Sequence, residues 1–284
     1  MRTAALFPGQ GSQTPDMGAT VERLRPDLYE LALSALGDDL FDRVDESTAF
    51  AQPAIYCASL AGWSRFEDGT PELMAGHSLG EFAALAAAGA LDEAEGLRLV
   101  ALRGHLMQRA ADRHGGGGML ALRADAEGAA ALAEQCGMTV ANDNAPEQVV
   151  LSGPADAMER ATEHASREGI RARPLPVAGA FHSPTMEPAA ADFKRALDRA
   201  DFREPRVPVY SSATAAPFDD IGRRLRESLT HPVRWRETLL AMSRAGAQRF
   251  IEVGPGKVLK GLVKRTLPDA KAETLDREPE GAHV

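Results

Sequence analysis

The stretch "MAGHSLGEFAALAAAGA", Met74 to Ala90, sets Ser78 between Gly76 and Gly80, after a short apolar run and before an alanine-rich helical pattern. A G-x-S-x-G arrangement in that setting suits a strand-turn-helix elbow, in which the serine backbone is strained and small flanking residues let strand and helix pack closely. The helix N-terminus would add amide donors near a developing oxyanion. The same five-residue pattern also arises by chance in tight turns, so alone it leaves Ser78 as either a nucleophile or a turn residue. A serine nucleophile needs a base within hydrogen-bond reach, which histidine supplies best. Of seven histidines, His77 adjoins the serine and His182 lies in "GAFHSP", just after a run of strands returns the chain to the same region. Arg103 falls mid-helix in "GLRLVALRGHLMQRA", where an arginine is ordinarily solvated along its stem and head.

These residues need a scaffold. Short apolar runs alternate with helical patterns, the signature of an α/β layered fold. "TAALF", "PELMA", "RVPVYSS" and "RFIEV" read as strands that each end at a glycine- or serine-rich turn. In open parallel sheets ligands sit beyond the carboxyl ends of the strands, so these turns should assemble the site. The middle of the chain changes rhythm at "HGGGG", His114 to Gly118, which reads as a flexible joint. After it, strand, helix, strand, strand, helix and strand follow in the β-α-β-β-α-β order of a ferredoxin-like unit. Pro154 is expected at the first position of its second helix and Gly169 just past its end. The expected organisation is a large α/β domain, residues 1–114 and 178–284, with a small domain inserted at 115–177. The polar stretch after about residue 268 reads as frayed.

With 284 residues, 44% hydrophobic and 26% charged, the chain can bury a large core. Its apolar runs are short of the roughly 20 residues that span a bilayer, and "MRTAALFPGQG" lacks a signal-peptide core, so a cytoplasmic protein is expected. Cys57 and Cys136 show neither metal-ligand nor redox spacing and read as packing thiols. The formal charge of −9 argues against nucleic acid as partner.

Seven ordered motifs then carry a resemblance: "FPGQGSQ", "GHSLGE", "RGHLMQ", "ANDNAPEQVVLSG", "GAFHSPTM", "PVRW" and "EVGPGKVL". In this order they are similar to those of malonyl-CoA:acyl carrier protein transacylases, from the first strand to about Leu267. The resemblance implies a hydrolase-like parallel-sheet domain with an inserted ferredoxin-like one. It implies Ser78 as nucleophile, His182 as base, and the amides of Gln10 and Leu79 as oxyanion donors, with the Gln10 side chain holding its loop. It implies that Arg103 forks onto the malonyl carboxylate, which suits a guanidinium and not an ammonium. Phe181 matches an aromatic that crowds an α-methyl group, and His77 is expected to pack and orient the elbow. Asn144 and Arg234 join the substrate-binding group.

The histidine is expected to be oriented by a main-chain carbonyl within "THPVRW". Arg234 stands there where some relatives carry glutamine, and a cation near His182 would disfavour the imidazolium. The resemblance implies malonyl-CoA and acyl carrier protein as partners, a coenzyme A thioester as substrate rather than a resident cofactor, no metal, no membrane, and a monomer as the assembly entertained. Other enzyme readings are a serine hydrolase or thioesterase of esterase or patatin-like type, or a malonyl transferase of polyketide or malonate decarboxylase biochemistry. A non-enzymatic scaffold is the contrasting reading, which the joint presence of Ser78, His182, Arg103 and Gln10 opposes. For an acidic carrier, Lys257, Lys260 and Lys264 fall on one helical face, with Val258, Leu259, Leu262 and Val263 on the other.

Overall fold

The computed structural model describes residues 1–275 except Asp38, 114–116 and Ala178. Ten strands follow in chain order: β1 (Arg2–Phe7), β2 (Leu73–Gly76), β3 (Gly118–Leu122), β4 (Thr139–Ala145), β5 (Gln148–Gly153), β6 (Ala172–Pro174), β7 (Val209–Ser211), β8 (Ala216–Pro217), β9 (Ala247–Glu252) and β10 (Lys271–Thr274). The helices are α1 (Met17–Leu24), α2 (Pro26–Leu36), α3 (Thr48–Trp63), α4 (Gly80–Ala87), α5 (Glu93–Arg113), α6 (Ala126–Cys136), α7 (Ala155–Arg167), α8 (Glu187–Leu197), α9 (Ile221–Glu227), α10 (Trp235–Arg244) and α11 (Val258–Thr266).

The larger sheet has the order β10-β9-β1-β2-β7-β8, parallel except for the antiparallel β7–β8 pair. Ala4 to Phe7 of β1 are wholly buried, as expected for a central parallel strand covered on both faces. Helix α4 is buried at every position, which its alanine-rich sequence permits because no polar face has to reach water. Since β1 and β2 are parallel neighbours, their carboxyl ends bring "PGQG" and "HSLG" side by side.

The second sheet is antiparallel with the order β4-β5-β3-β6, and α6 and α7 pack on it, giving the ferredoxin-like arrangement. Asp125 caps α6 by accepting from the Gly128 amide, and Gly137 ends it at φ +73°. Gly169 likewise follows α7 at φ +69°. Pro154, expected inside the first turn of α7, is instead its N-cap with extended ψ. The expected joint at "HGGGG" and the end of the expected tail lie largely outside the described residues, namely 114–116 and 276–284.

Lys271–Thr274 corrects the expectation of a frayed segment after residue 268. It forms the edge strand β10, in parallel register with Arg249–Glu252 of β9. Lys271 and Arg249 both pair with Glu273, so polar side chains with good edge-strand chemistry replace the apolar run that a central strand would show.

Three consecutive residues of β4 tie the two sheets together. Asn142 bridges Val233, Asp143 takes the Arg236 guanidinium on both oxygens, and Asn144 meets His77. Cys57 and Cys136 are free and buried.

Candidate active site

Ser78 occupies the turn between β2 and α4 at φ +53°, a left-handed conformation that a non-glycine residue adopts only when its surroundings enforce it. The two glycines of the motif permit the close approach of strand and helix that this turn requires. A Cβ on Gly76 would lie 2.0 Å from the Gly80 carbonyl carbon, and one on Gly80 would lie 2.2 Å from the Phe7 carbonyl oxygen. His182, at φ +56°, sits in the segment between β6 and α8 and is buried. Ser78 Oγ is 2.9 Å from His182 Nε2, and His182 Nδ1–H donates to the Ser228 carbonyl at 2.7 Å. That carbonyl fixes the tautomer, leaving Nε2 to accept the serine proton. Burial, then the nearby Arg103 charge, holds the imidazole pKa down at about 3.

The 2.7 Å carbonyl belongs to Ser228, two residues before the expected "THPVRW" segment, because the chain turns toward His182 directly after α9, and the backbone of His231, inside that segment, also bonds to the ring. Arg234 also departs from expectation. Its guanidinium forks onto Glu237 and donates to the Thr214 carbonyl, so its charge is neutralised away from His182.

Arg103 projects from the middle of α5 and is 1% exposed, which excludes the ordinary solvated role. Nη1 donates to Gln52 Oε1 at 2.6 Å and Nη2 to Ser78 Oγ at 3.1 Å, while the buried Nε has no partner among the described residues. Burial lowers its pKa to about 10, so it remains a cation at neutral pH. From Gln52, also buried, hydrogen bonds run to Thr48 Oγ1 at 2.9 Å and on to Gln10 Oε1 at 2.7 Å. Sequence reasoning missed Gln52, although a glutamine inside the apolar pattern of α3 is the signal that could have found it.

The Gln10 side chain is thus anchored, and its exposed backbone turn faces the elbow across the β1–β2 ends. Among the described residues neither the Gln10 nor the Leu79 amide donates to a backbone acceptor, so both are available to an incoming oxyanion. Gln10, Leu79, Ser78, His182 and Arg103 line one cavity of about 210 Å³ between the sheets. Met107, Met119, Val150, Leu175 and Phe181 form its apolar wall. His77 and Asn144 line it too, with His77 Nε2 2.8 Å from Asn144 Oδ1 and the ring packed on Trp235. Burial pushes the His77 pKa down, which fits an orienting ring and not a base.

The lysine stripe is less uniform than the sequence suggests. Lys257 and Lys264 are exposed, but Lys260 is half-buried in a concavity it shares with Asp68 and Glu273, and Val258 is 45% exposed, not part of the buried face. A stronger basic feature went unrecognised because its residues are scattered in sequence. Arg123, Arg171, Arg173 and Arg265 line a concavity of about 520 Å³ beside the β4–β5 turn, with Glu147 as the acidic residue of the lining.

Residues 36–277 match the acyl transferase domain family. Polyketide biosynthesis protein ThaF of Burkholderia thailandensis is 43% identical over 93% of this chain, which spans about a quarter (24%) of that protein's length. Malonyl CoA-acyl carrier protein transacylase of Synechocystis is 40% identical over 97% of each chain. The crystal structure of acyl-carrier-protein-S-malonyltransferase from Bartonella henselae superposes with a TM-score of 0.90 at 37% identity, covering 98% of this chain and 96% of that one.

Proposed function

The chain belongs to the acyl transferase domain family, and from that premise we infer that it transfers a malonyl group from coenzyme A to the phosphopantetheine thiol of an acyl carrier protein. The observation that carries this reading is the buried Arg103 guanidinium on Ser78, beside the Ser78–His182 pair. A plain esterase has no use for a desolvated cation there, whereas an acyl group ending in a carboxylate does.

His182 Nε2 takes the Ser78 proton as Oγ bonds to the thioester carbon, and the Leu79 and Gln10 amides hold the resulting oxyanion. Collapse breaks the carbon–sulfur bond, and the imidazolium returns its proton to the departing thiolate, leaving malonyl-Ser78. The carrier thiol then gives its proton to Nε2 and attacks the ester. Collapse breaks the carbon–Oγ bond, and Ser78 recovers the proton. Arg103 holds the malonyl carboxylate through both halves, using Nε and Nη2 as the fork. The bound carboxylate offsets the charge that depresses His182, so the correct substrate makes the base stronger. Phe181 narrows the acyl cavity against an α-branch, and His77 with Asn144 holds the elbow against the second sheet.

The division into residues 1–114 with 178–284, and 115–177, belongs to the same reading, as does a cytoplasmic setting. No helix among the described residues is long and apolar enough to cross a membrane. The arginine-lined concavity supplies the basic surface that an acidic carrier requires of a chain with charge −9.

Purified protein with malonyl-CoA alone should gain one malonyl group on Ser78, read by peptide mass spectrometry. Offered several holo-carriers, it should malonylate its own partner. Release of free malonate in place of transfer would return the protein to the hydrolases.

A further inference from the structure

Two buried groups of opposite charge flank Ser78 and are each left with an open hydrogen-bonding position. Arg103 spends both Nη groups on neutral oxygens, and its Nε–H is unpartnered among the described residues. Glu81, in the first turn of α4, is 0% exposed. Its Oε1 accepts from Ser211 Oγ at 3.2 Å, the Ser212 amide at 2.6 Å and Ser212 Oγ at 2.9 Å, whereas Oε2 is buried without a partner among the described residues. Both report to the same residue: Arg103 to the Ser78 hydroxyl, and Glu81 through its amide to the Ser78 carbonyl at 3.1 Å.

Resting on the malonyl-transfer reading, we propose that Glu81 is a positioning residue for acyl selectivity: it carries the counter-charge of Arg103 while the cavity is empty, and takes one solvent proton on Oε2 when the substrate carboxylate reaches the guanidinium. The charge of the buried cluster is then the same before and after binding. No bond forms between Glu81 and the substrate. An acetyl group brings no charge and draws no proton.

Burial pushes the Glu81 carboxyl up to about 7, against hydrogen bonds from Ser212 and the field of Arg103, which pull it down. A carboxylate on Arg103 cancels that field and completes the shift. Arg103 from α5 is the charged group whose field reaches Glu81, and its other polar partners, Ser211 and Ser212, do not titrate in this range. His182 stays neutral and Arg103 stays charged in this range, and burial disfavours the charged form of His77, so Glu81 is the group free to change state. Neutral Glu81 favours the malonyl carboxylate, so malonyl affinity falls as pH rises through about 7, and binding takes up a proton.

Calorimetric titration of the Ser78→Ala protein with malonyl-CoA at pH 7.5, in two buffers of different ionisation enthalpy, counts the proton. Uptake of up to about three-quarters of a proton per site is expected, the share of Glu81 still ionised at that pH, with none for acetyl-CoA and none after adding Glu81→Gln. Binding without proton uptake overturns the proposal and leaves the malonyl reading standing; absence of malonyl-CoA binding overturns both. In the unmodified enzyme the malonyl-over-acetyl ratio of kcat/KM should fall at least about fivefold from pH 6 to 8.5, and stay flat in Glu81→Gln. A purely structural brace would lower both substrates together in that variant. If Glu81→Gln does not fold, a pH-independent ratio in the unmodified enzyme is enough to reject the idea.

Discussion

Arg103 Nη2 donates to Ser78 Oγ at 3.1 Å, so the cation that would hold the acyl group rests, in the empty site, on the atom that would attack it.

Acyl selectivity follows from that placement. Hydrogen bonds to charged groups contribute roughly 1.5–3 kcal/mol, and an acetyl methyl group leaves the guanidinium desolvated and unpaired, so malonyl should be preferred on the order of 100-fold. Arg103→Ala should lower kcat/KM for malonyl-CoA by about that factor and leave acetyl-CoA little changed. Arg103→Lys should recover only part, because an ammonium lacks the planar fork. Equal losses for both substrates would mean that Arg103 only supports the fold.

The acid limb of the pH profile should be displaced. Depression of the His182 pKa to about 3 keeps the imidazole neutral and competent throughout the neutral range, and function is lost only as pH falls through that low value. Transfer rates measured from pH 8 to 6 should therefore show no half-loss near the ordinary histidine value of about 6.5. His182→Ala should cost about 10²- to 10⁴-fold at every pH in that window.

Gln52 should matter without touching the reacting carbon. It receives Arg103 Nη1 and, through Thr48, steadies the Gln10 side chain. Gln52→Leu preserves much of the volume but strands a buried guanidinium, so kcat/KM for malonyl-CoA should drop about tenfold or more. Gln52→Glu should weaken malonyl relative to acetyl by neutralising Arg103 in place. An unchanged ratio in both variants would remove Gln52 from the specificity network.

Carrier docking separates two basic surfaces. Charge reversal of Arg171, Arg173 and Arg265 should raise the KM for carrier in a salt-dependent way and spare malonylation of Ser78 by malonyl-CoA. Reversal of Lys257, Lys260 and Lys264 should do less, since Lys260 is half-buried in a concavity that Asp68 and Glu273 also line. The opposite ranking would return docking to the α11 stripe.

Much of the fold was legible because its strands are short apolar runs ended by glycine or serine turns, and because the inserted unit keeps its β-α-β-β-α-β order. Edge strand β10 was not, since its Lys-Ala-Glu-Thr side chains are polar for the same reason that they suit an edge. Ser78, His182 and Arg103 stand out because side-chain chemistry and motif coincide in each. Ser228 acts through a carbonyl, which any residue carries, so its side chain gives no signal. Gln52 and Glu81 depend on burial, which a single sequence does not print. The Arg234 concern dissolved through Glu237 three residues on, a pairing that helical spacing permits but does not require.

The strap formed by Asn142, Asp143 and Asn144 has a mechanical meaning. A backbone bridge to Val233, a two-oxygen grip on Arg236 and a contact with His77 would all have to break for the second sheet to swing away from α10 and the Ser78 elbow. The space above Ser78 is therefore braced from the side of the second sheet. The fit of an acyl end is then measured against a wall whose position those contacts set.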